Sequence, residues 1–344
     1  MPGKLISNSL TTVACLLFIS LVHLTTATST AFIGAQEKKA ASVGHRGASA
    51  YAPEHTLAAY ELAIEQGADF VEQDLQVAKD GVLLCLHDRS LERTTNVAEV
   101  FPDRARDAEG QSGRTWYAAD FTLAEIKRLD AGSWFNRANT FAVRPDYAGQ
   151  KIPTLEEAIK LIGSRAKLYI EIKDFEFYRA RGVDAAEKLV SVLKANGFDR
   201  RPDRVMIQSF SKKCLLRLRE LAPRYTRVQL LPMEGDRGRE TSVISESLAR
   251  EIAGYAKGAG PSKNMIRSAE DVALFHRAGL IVHPYTFRGA TTAVKRRPLD
   301  EKLADGSTVR ENIIADIRRF IGFGVDGGFT DYPDLWKEAI RQSR

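Results

Sequence analysis

Phe70-Val71-Glu72-Gln73-Asp74-Leu75 is the run on which the reading of this sequence turns. Phe70, Val71 and Leu75 give it the character of a short buried strand. The two-residue period of a strand sets Glu72 and Asp74 on one face. Two carboxylates side by side on a mostly buried element repel one another and call for a cation. Farther on, Tyr169-Ile170-Glu171-Ile172-Lys173 repeats the pattern, with Glu171 and Lys173 sharing a face. Three carboxylates from two strand ends form a hard-oxygen set suited to Ca²⁺ or Mg²⁺. The same spacing also fits a buried Glu171–Lys173 ion pair beside two solvated carboxylates.

Outward from these two runs, strand-length apolar segments recur at residues 42–45, 82–87, 205–209, 227–231, 265–267, 280–285 and 325–330. Amphipathic stretches at 56–65, 155–162, 185–195, 212–221, 269–277 and 312–321 lie between many of them, and Thr154 with Glu157 predicts a capping box for the second. Strands alternating with helices predict a mainly parallel sheet, and eight or so repeats predict a (β/α)8 barrel of the TIM type. Two stretches break the rhythm. The polar residues 96–150 read as a small insertion after the second strand region, and residues 232–262 read as an unusually long loop. No linker divides residues 40–344, which read as one domain.

The chain has 344 residues, with 50 Lys and Arg against 44 Asp and Glu, 44% hydrophobic and 27% charged residues. That balance is globular and excludes a disordered chain, a collagen-like repeat and a disulfide-dense miniprotein. The basic residues are interleaved with acidic ones, so no nucleic-acid partner is expected. No feature of the sequence sets an oligomeric state. Residues 1–31 stand apart: Lys4 is the sole charge, residues 13–24 are apolar apart from Ser20 and His23, and small residues follow. This pattern predicts a signal peptide and export, with the periplasm as destination and secretion or signal anchoring as alternatives. The apolar run falls short of the roughly 20 residues of a spanning helix, so no stable membrane span is expected after cleavage. Beyond it Cys85 and Cys214 remain; export permits a disulfide without establishing one.

His45 ends the first strand run and precedes Arg46-Gly47; His87 ends another and precedes Asp88. Barrel enzymes place their catalysts at the C-terminal ends of strands, and imidazole gives and takes protons near neutral pH. Two satisfied structural histidines would fit the same positions, and His276 and His283 read as structural. Arg46 suits an anion, since guanidinium matches phosphate oxygens. No HExxH, paired CxxC, Walker A loop, dinucleotide glycine fingerprint or GxSxG elbow occurs. Two acid–base groups, a divalent cation, an Arg and a Lys at one mouth suit attack at phosphorus.

At these residues the sequence resembles the glycerophosphodiester phosphodiesterase family. The matching pieces include His45-Arg46-Gly47-Ala48-Ser49, Pro53-Glu54-His55-Thr56-Leu57, Glu72-Gln73-Asp74-Leu75 and His87-Asp88 with Arg93-Thr94-Thr95. Ile152-Pro153-Thr154-Leu155, Glu171-Ile172-Lys173, Gln208-Ser209-Phe210 and Thr330-Asp331-Tyr332-Pro333 follow. The stretches at 101–106 and 283–288 resemble the exported, periplasmic branch. The resemblance implies a TIM-type barrel with Ca²⁺ or Mg²⁺ held by Glu72, Asp74 and Glu171. It implies His45 and His87 as the acid–base pair, Arg46 and Lys173 as the phosphate grip, and Glu54 as a supporting group behind them. Phe210 and Tyr285 would line the substrate pocket or serve as core aromatics. The substrate would be a glycerophosphodiester such as glycerophosphocholine or glycerophosphoethanolamine, cleaved to sn-glycerol 3-phosphate and an alcohol. His55 stands where many members carry Asn. Gly328 stands where a bulky apolar residue is common, which predicts a loosened last strand. Arg288, if inward-facing, would alter head-group preference. A lysophospholipase D, sphingomyelinase D or phospholipase C on the same barrel, or a surface binding protein, are the competing readings.

Overall fold

The computed structural model describes residues 40–108, 113–232, 243–289 and 296–343; the segment read as an export signal lies outside them. Among the described residues the strands are β1 (Ala41–Gly44), β2 (Phe70–Val77), β3 (Leu83–Cys85), β4 (Arg106–Asp107), β5 (Arg114–Thr115), β6 (Lys167–Ile172), β7 (Val205–Ser209), β8 (Thr226–Leu231), β9 (Gly258–Pro261), β10 (Ile281–Val282) and β11 (Gly327–Thr330). Eight of them lie side by side in the order β10-β9-β8-β7-β6-β2-β1-β11, and every ladder along that path is parallel. Beyond β10 the chain closes the ring: Phe287 N–H donates to Phe329 O at 2.7 Å and Phe329 N–H to Pro284 O at 3.0 Å. The expected TIM-type barrel is therefore the fold.

Alternation along the strands builds the two layers. Val43, Phe70, Tyr169, Val228 and Phe329 form one cluster that plugs the barrel interior. Val71, Leu168, Ile170 and Ile207 belong to the larger core shared with the surrounding helices. Each fully buried aliphatic side chain of this kind contributes about 1.5–3 kcal/mol. Short polar caps start the helices that cover the sheet. Thr56 accepts from Ala59 N before the helix Leu57–Glu65, and Thr154 with Glu157 forms the expected capping box before Leu155–Ile162.

Several expectations need correction. The run at 82–87 is not a barrel strand. Only Leu83–Cys85 is extended, and it pairs antiparallel to β2, with Val77 opposite Leu83. β2 rises past the rim and β3 folds back along it. The run at 265–267 is not a strand either; a single 3-10 turn, Lys263–Met265, ends there. The barrel strand is β9, Gly258-Ala259-Gly260-Pro261, inside the stretch read as loop. Its glycines are there for space: a Cβ on Gly258 would stand 2.8 Å from Ile281 Cγ1, and one on Gly260 2.7 Å from Leu230 Cδ2. Gly328 does not loosen the last strand. A Cβ there would stand 2.5 Å from the fully buried Trp336 ring and 2.9 Å from Phe287, so glycine is what lets the tryptophan pack. Between β3 and the helix Leu155–Ile162, the β4–β5 hairpin and several short helices surround an apolar cluster of their own, built on Leu91, Val97, Phe121, Ile126 and Leu129. Cys85 and Cys214 are buried free thiols, so they form no disulfide. No helix among the described residues is long and apolar enough to cross a membrane.

Candidate active site

The strand ends converge on a cleft of about 350 Å³ at the C-terminal mouth of the barrel. His45, Arg46, Glu72, Asp74, His87, Glu171 and Lys173 line its charged side, and Phe210 and Tyr285 line the other. Of the residues the sequence assigned to the site, Glu54 lies behind the wall, 5% exposed.

β1 and β11 are neighbours, with Gly44 opposite Thr330. The residues that follow them therefore meet: His45 Nδ1 lies 2.6 Å from Asp331 Oδ1. Asp331 is fully buried, which alone would raise its pKa, but Arg296, Arg288 and His45 hold it well below the carboxylate range. Arg296 Nη1 reaches Asp331 Oδ2 at 2.7 Å. An ionised carboxylate only accepts, so the His45 proton sits on Nδ1 and the Nε2 lone pair is free for chemistry. Burial, then the adjacent Arg46, lowers the His45 pKa to about 4 against the pull of Asp331, so the ring is neutral at pH 7.

His87 repeats this arrangement from another direction. The return of β3 carries it to the mouth, where Leu86 N–H donates to Asp74 O at 2.9 Å. His87 Nδ1 lies 2.6 Å from Asp88 Oδ1, and Arg93 Nε grips the other carboxylate oxygen. Asp88 is held below its ordinary range: burial opposes this, and the hydrogen bond from His87 and the charge of Arg93 prevail. Burial, Arg46 and Lys173 together push the His87 pKa well down. Arg93 also clasps Glu54 with two nitrogens, at 2.7 and 3.0 Å, and Glu54 accepts from Arg46 Nη1 at 3.0 Å. Glu54 thus joins Arg46 to the support of His87.

Arg46 takes a left-handed backbone, φ 57°, and Gly47 follows at φ 88°. A non-glycine residue held there costs about 1–3 kcal/mol. The turn aims the Arg46 N–H at Glu72 Oε2, 2.6 Å away. At Gly47 a Cβ would stand 2.6 Å from the Ala59 backbone, so only glycine lets the turn sit on the helix.

The carboxylates crowd as their spacing predicts. Asp74 is opposite Glu171 in the β2–β6 ladder, and all three acids are buried. Burial and then Asp74 raise Glu72. Burial raises Glu171 to about 8, with Asp74 adding and Lys173 opposing. Asp74 is held well below its ordinary range: burial opposes this, and Lys173, His87 and His55 together prevail. Lys173 Nζ lies 3.2 Å from Glu171 and 3.7 Å from Asp74. The ion pair of the bland reading therefore exists, and Arg46 Nε adds a second contact 3.4 Å from Asp74 Oδ2, but two cations do not neutralise three acids. Asp74 Oδ1 is buried and takes no hydrogen bond. A divalent cation fits this set: its charge would offset the burial that raises Glu72 and Glu171, and it would meet Asp74 Oδ1, which takes no hydrogen bond and faces Lys173 across 3.7 Å. Among the described residues the group whose ligand atoms all lie within 4.8 Å of one another is His55, Glu72 and Asp74, with Glu171 outside it. His55, however, is committed on both sides, with Nε2 2.9 Å from Asp74 Oδ2 and Nδ1 2.9 Å from Tyr60 Oη. It orients Asp74.

Sequence reasoning gave no role to Asp331, Asp88, Arg93 or Arg296, which set the tautomers of the two histidines. Asp88 and Asp331 lay inside quoted motifs, and adjacency of Asp88 to His87 was the available signal. His276 and His283 are structural as expected: His276 Nε2 meets Asp326 at 2.8 Å, and the buried His283 meets Tyr169 Oη at 3.2 Å. Arg288 does face the cleft.

Opposed imidazoles, an Arg–Lys grip and a carboxylate cluster at the mouth of such a barrel are the equipment of a phosphodiester hydrolase. Residues 45–335 match the glycerophosphoryl diester phosphodiesterase family, and the chain belongs to it. A glycerophosphodiester phosphodiesterase of Bacillus subtilis (strain 168) is 39% identical over 301 residues, covering 87% of this chain and 85% of that protein. The crystal structure of a glycerophosphodiester phosphodiesterase from Agrobacterium tumefaciens superposes with TM-score 0.60 at 26% identity, over 87% of this chain and 99% of that one. An Oleispira antarctica phosphodiesterase, solved in complex with its product sn-glycerol-3-phosphate, shares the fold with TM-score 0.62 at 24% identity, over 88% and 96% of the two chains.

Proposed function

We propose that the cleft hydrolyses glycerophosphodiesters of the deacylated-phospholipid type, such as glycerophosphocholine and glycerophosphoethanolamine, releasing sn-glycerol 3-phosphate and an alcohol. The observation that carries this reading is the pair of histidines, each with Nδ1 2.6 Å from an aspartate and each lining the same cleft. Arg46 and Lys173 hold the phosphate between them. One Nε2 takes the proton of the attacking hydroxyl, and the other protonates the departing alkoxide. Both rings are neutral in the free cleft, so one must gain a proton when substrate binds. A bound phosphodiester anion offsets Arg46 and Lys173, the charges that with burial depress His87. In the route favoured by intramolecularity the glycerol 2-hydroxyl attacks phosphorus, and water opens the cyclic phosphate.

Glu72, Asp74 and Glu171 would hold Ca²⁺ or Mg²⁺, whose positive charge would favour the developing oxyanion. The cleft volume suits a soluble diester, whereas an acylated lysophospholipid would need an apolar trough for its chain. The sequence of residues 1–31 supports export to the periplasm as the setting.

The test is release of glycerol 3-phosphate from glycerophosphocholine by the mature protein with Ca²⁺, with Mg²⁺ and with chelator. Metal-dependent release is expected. A folded, metal-loaded protein that releases none would overturn the proposal.

A further inference from the structure

Within the cleft, three buried side-chain atoms take no hydrogen bond from the protein: Arg46 Nε, Asp74 Oδ1 and Gln208 Oε1. Two of them stand beside an opposite charge, Arg46 Nε 3.4 Å from Asp74 Oδ2 and Asp74 Oδ1 3.7 Å from Lys173 Nζ; Gln208 Oε1 does not, and a buried polar atom left unpaired is costly. Arg46 and Asp74 already carry proposed roles toward the phosphate and the cation. Gln208 has no such assignment. It is 1% exposed, and it belongs to a Gln-Ser-Phe motif in which only the phenylalanine was given a role.

Its position says what the partner is. Gln208 lies in β7, directly opposite Glu171 of β6 on one side and Val228 of β8 on the other. Going round the barrel, β7 is three strands from β1, which carries His45. On one side of Gln208 the cleft is charged; on the other it is walled by Phe210, Leu230, Tyr285 and Phe329. An amide at that seam both gives and accepts a hydrogen bond, while Phe210 and Tyr285 meet edge to face with ring centroids 5.9 Å apart. A hydroxyl on a short carbon chain matches both surfaces, with its oxygen on the amide and its methylene on the rings. The glycerol 2-hydroxyl must stay beside phosphorus and the histidines. The terminal hydroxyl, one carbon farther along the chain, is the glycerol group left to reach the seam.

We propose that Gln208 is a specificity-determining residue that hydrogen-bonds the terminal hydroxyl of the glycerol moiety. The inference rests on the glycerophosphodiester reading of the cleft. It makes the enzyme a reader of glycerol as well as of the phosphate. A site built around a substrate hydroxyl discriminates strongly against the analogue that lacks it, because the amide is then left buried and unpaired.

The experiment is calorimetric titration of the full chain, supplied with Ca²⁺, with sn-glycerol 3-phosphate and with 2-hydroxypropyl phosphate, which differs only in lacking the terminal hydroxyl. Wild type is expected to prefer glycerol 3-phosphate by about 10–100-fold. Gln208→Leu, and Gln208→Met as a second variant that keeps the shape of the side chain, should bring the ratio to within about threefold by weakening glycerol 3-phosphate alone. A wild type that binds both phosphates equally, or neither, overturns the proposal. So does a variant that weakens both equally, which would mark a structural residue, or one that leaves the ratio intact. Hydrolysis of glycerophosphocholine is measured separately on wild type. Its absence would sink the reading of the cleft, while the binding ratio judges Gln208 by itself.

Discussion

Replacing Asp331 by Asn changes one atom's identity and removes one charge, and it separates the two jobs of this aspartate. The first is to hold the proton of His45 on Nδ1. An amide in its place offers both a donor and an acceptor, so the ring is no longer confined to one tautomer. The charge-assisted bond across 2.6 Å is lost as well. Such bonds are worth about 1.5–3 kcal/mol, and at 1.36 kcal/mol per tenfold this predicts a kcat about 10–150-fold lower. The second job is to balance Arg296, 5% exposed, and Arg288. Removing one partner from a buried ionic cluster costs about 3–5 kcal/mol, which in a domain of this size lowers Tm by about 5–8 °C. Both numbers come from one protein sample: coupled detection of glycerol 3-phosphate for kcat, and thermal unfolding for Tm. A folded Asp331→Asn enzyme with kcat within about threefold of wild type would refute the assignment of the His45 tautomer to this carboxylate.

Three further outcomes follow from the same geometry. His87→Ala should lower kcat by about 10²–10⁴ while leaving Tm close to wild type, as read by the same two assays. In metal-free protein Glu171 titrates near 8 instead of its ordinary 4.5; between those values the folded state binds a proton that the unfolded state does not. Above about pH 7 the depressed histidines are neutral in folded and unfolded protein alike, so stability in chelator should fall as pH rises from about 7 to 8, and saturating Ca²⁺ should abolish the slope; a Tm in chelator that rises over that range would contradict the shift. Gly328→Val should lower Tm by the equivalent of about 1–3 kcal/mol, because its side chain enters the space of Trp336, and unchanged thermal stability would show that the ring has room to yield.

The barrel strands that read clearly from sequence are those with branched residues on both faces. β2, β6, β7 and β8 were legible to within a residue or two at each end because large apolar side chains recur along each of them. β9 was not, since Gly258-Ala259-Gly260-Pro261 carries no branched side chain. Its residues are selected by the bulk of Ile281 and Leu230 beside them, which is invisible until the partners are known. The misreading of residues 82–87 has a related cause. A run of apolar residues tells burial but not direction, and an antiparallel return over the rim looks the same as a further barrel strand. At the site, the residues expected to touch substrate or metal were visible because unusual chemistry recurs at strand ends. The residues behind them, Asp331, Arg296 and Arg93, were not, because an aspartate behind a histidine is defined by a distance in space and not by spacing along the chain.

The bond between His45 and Asp331 also sets a schedule. One partner follows the first strand of the barrel and the other follows the last, 286 residues later. A ribosome delivers them at opposite ends of the domain's synthesis, and a partly made barrel holds one imidazole with no carboxylate to fix its proton. The proton-transfer machinery is completed by the same event that brings β1 and β11 together, so catalytic competence is itself a report that the ring has shut.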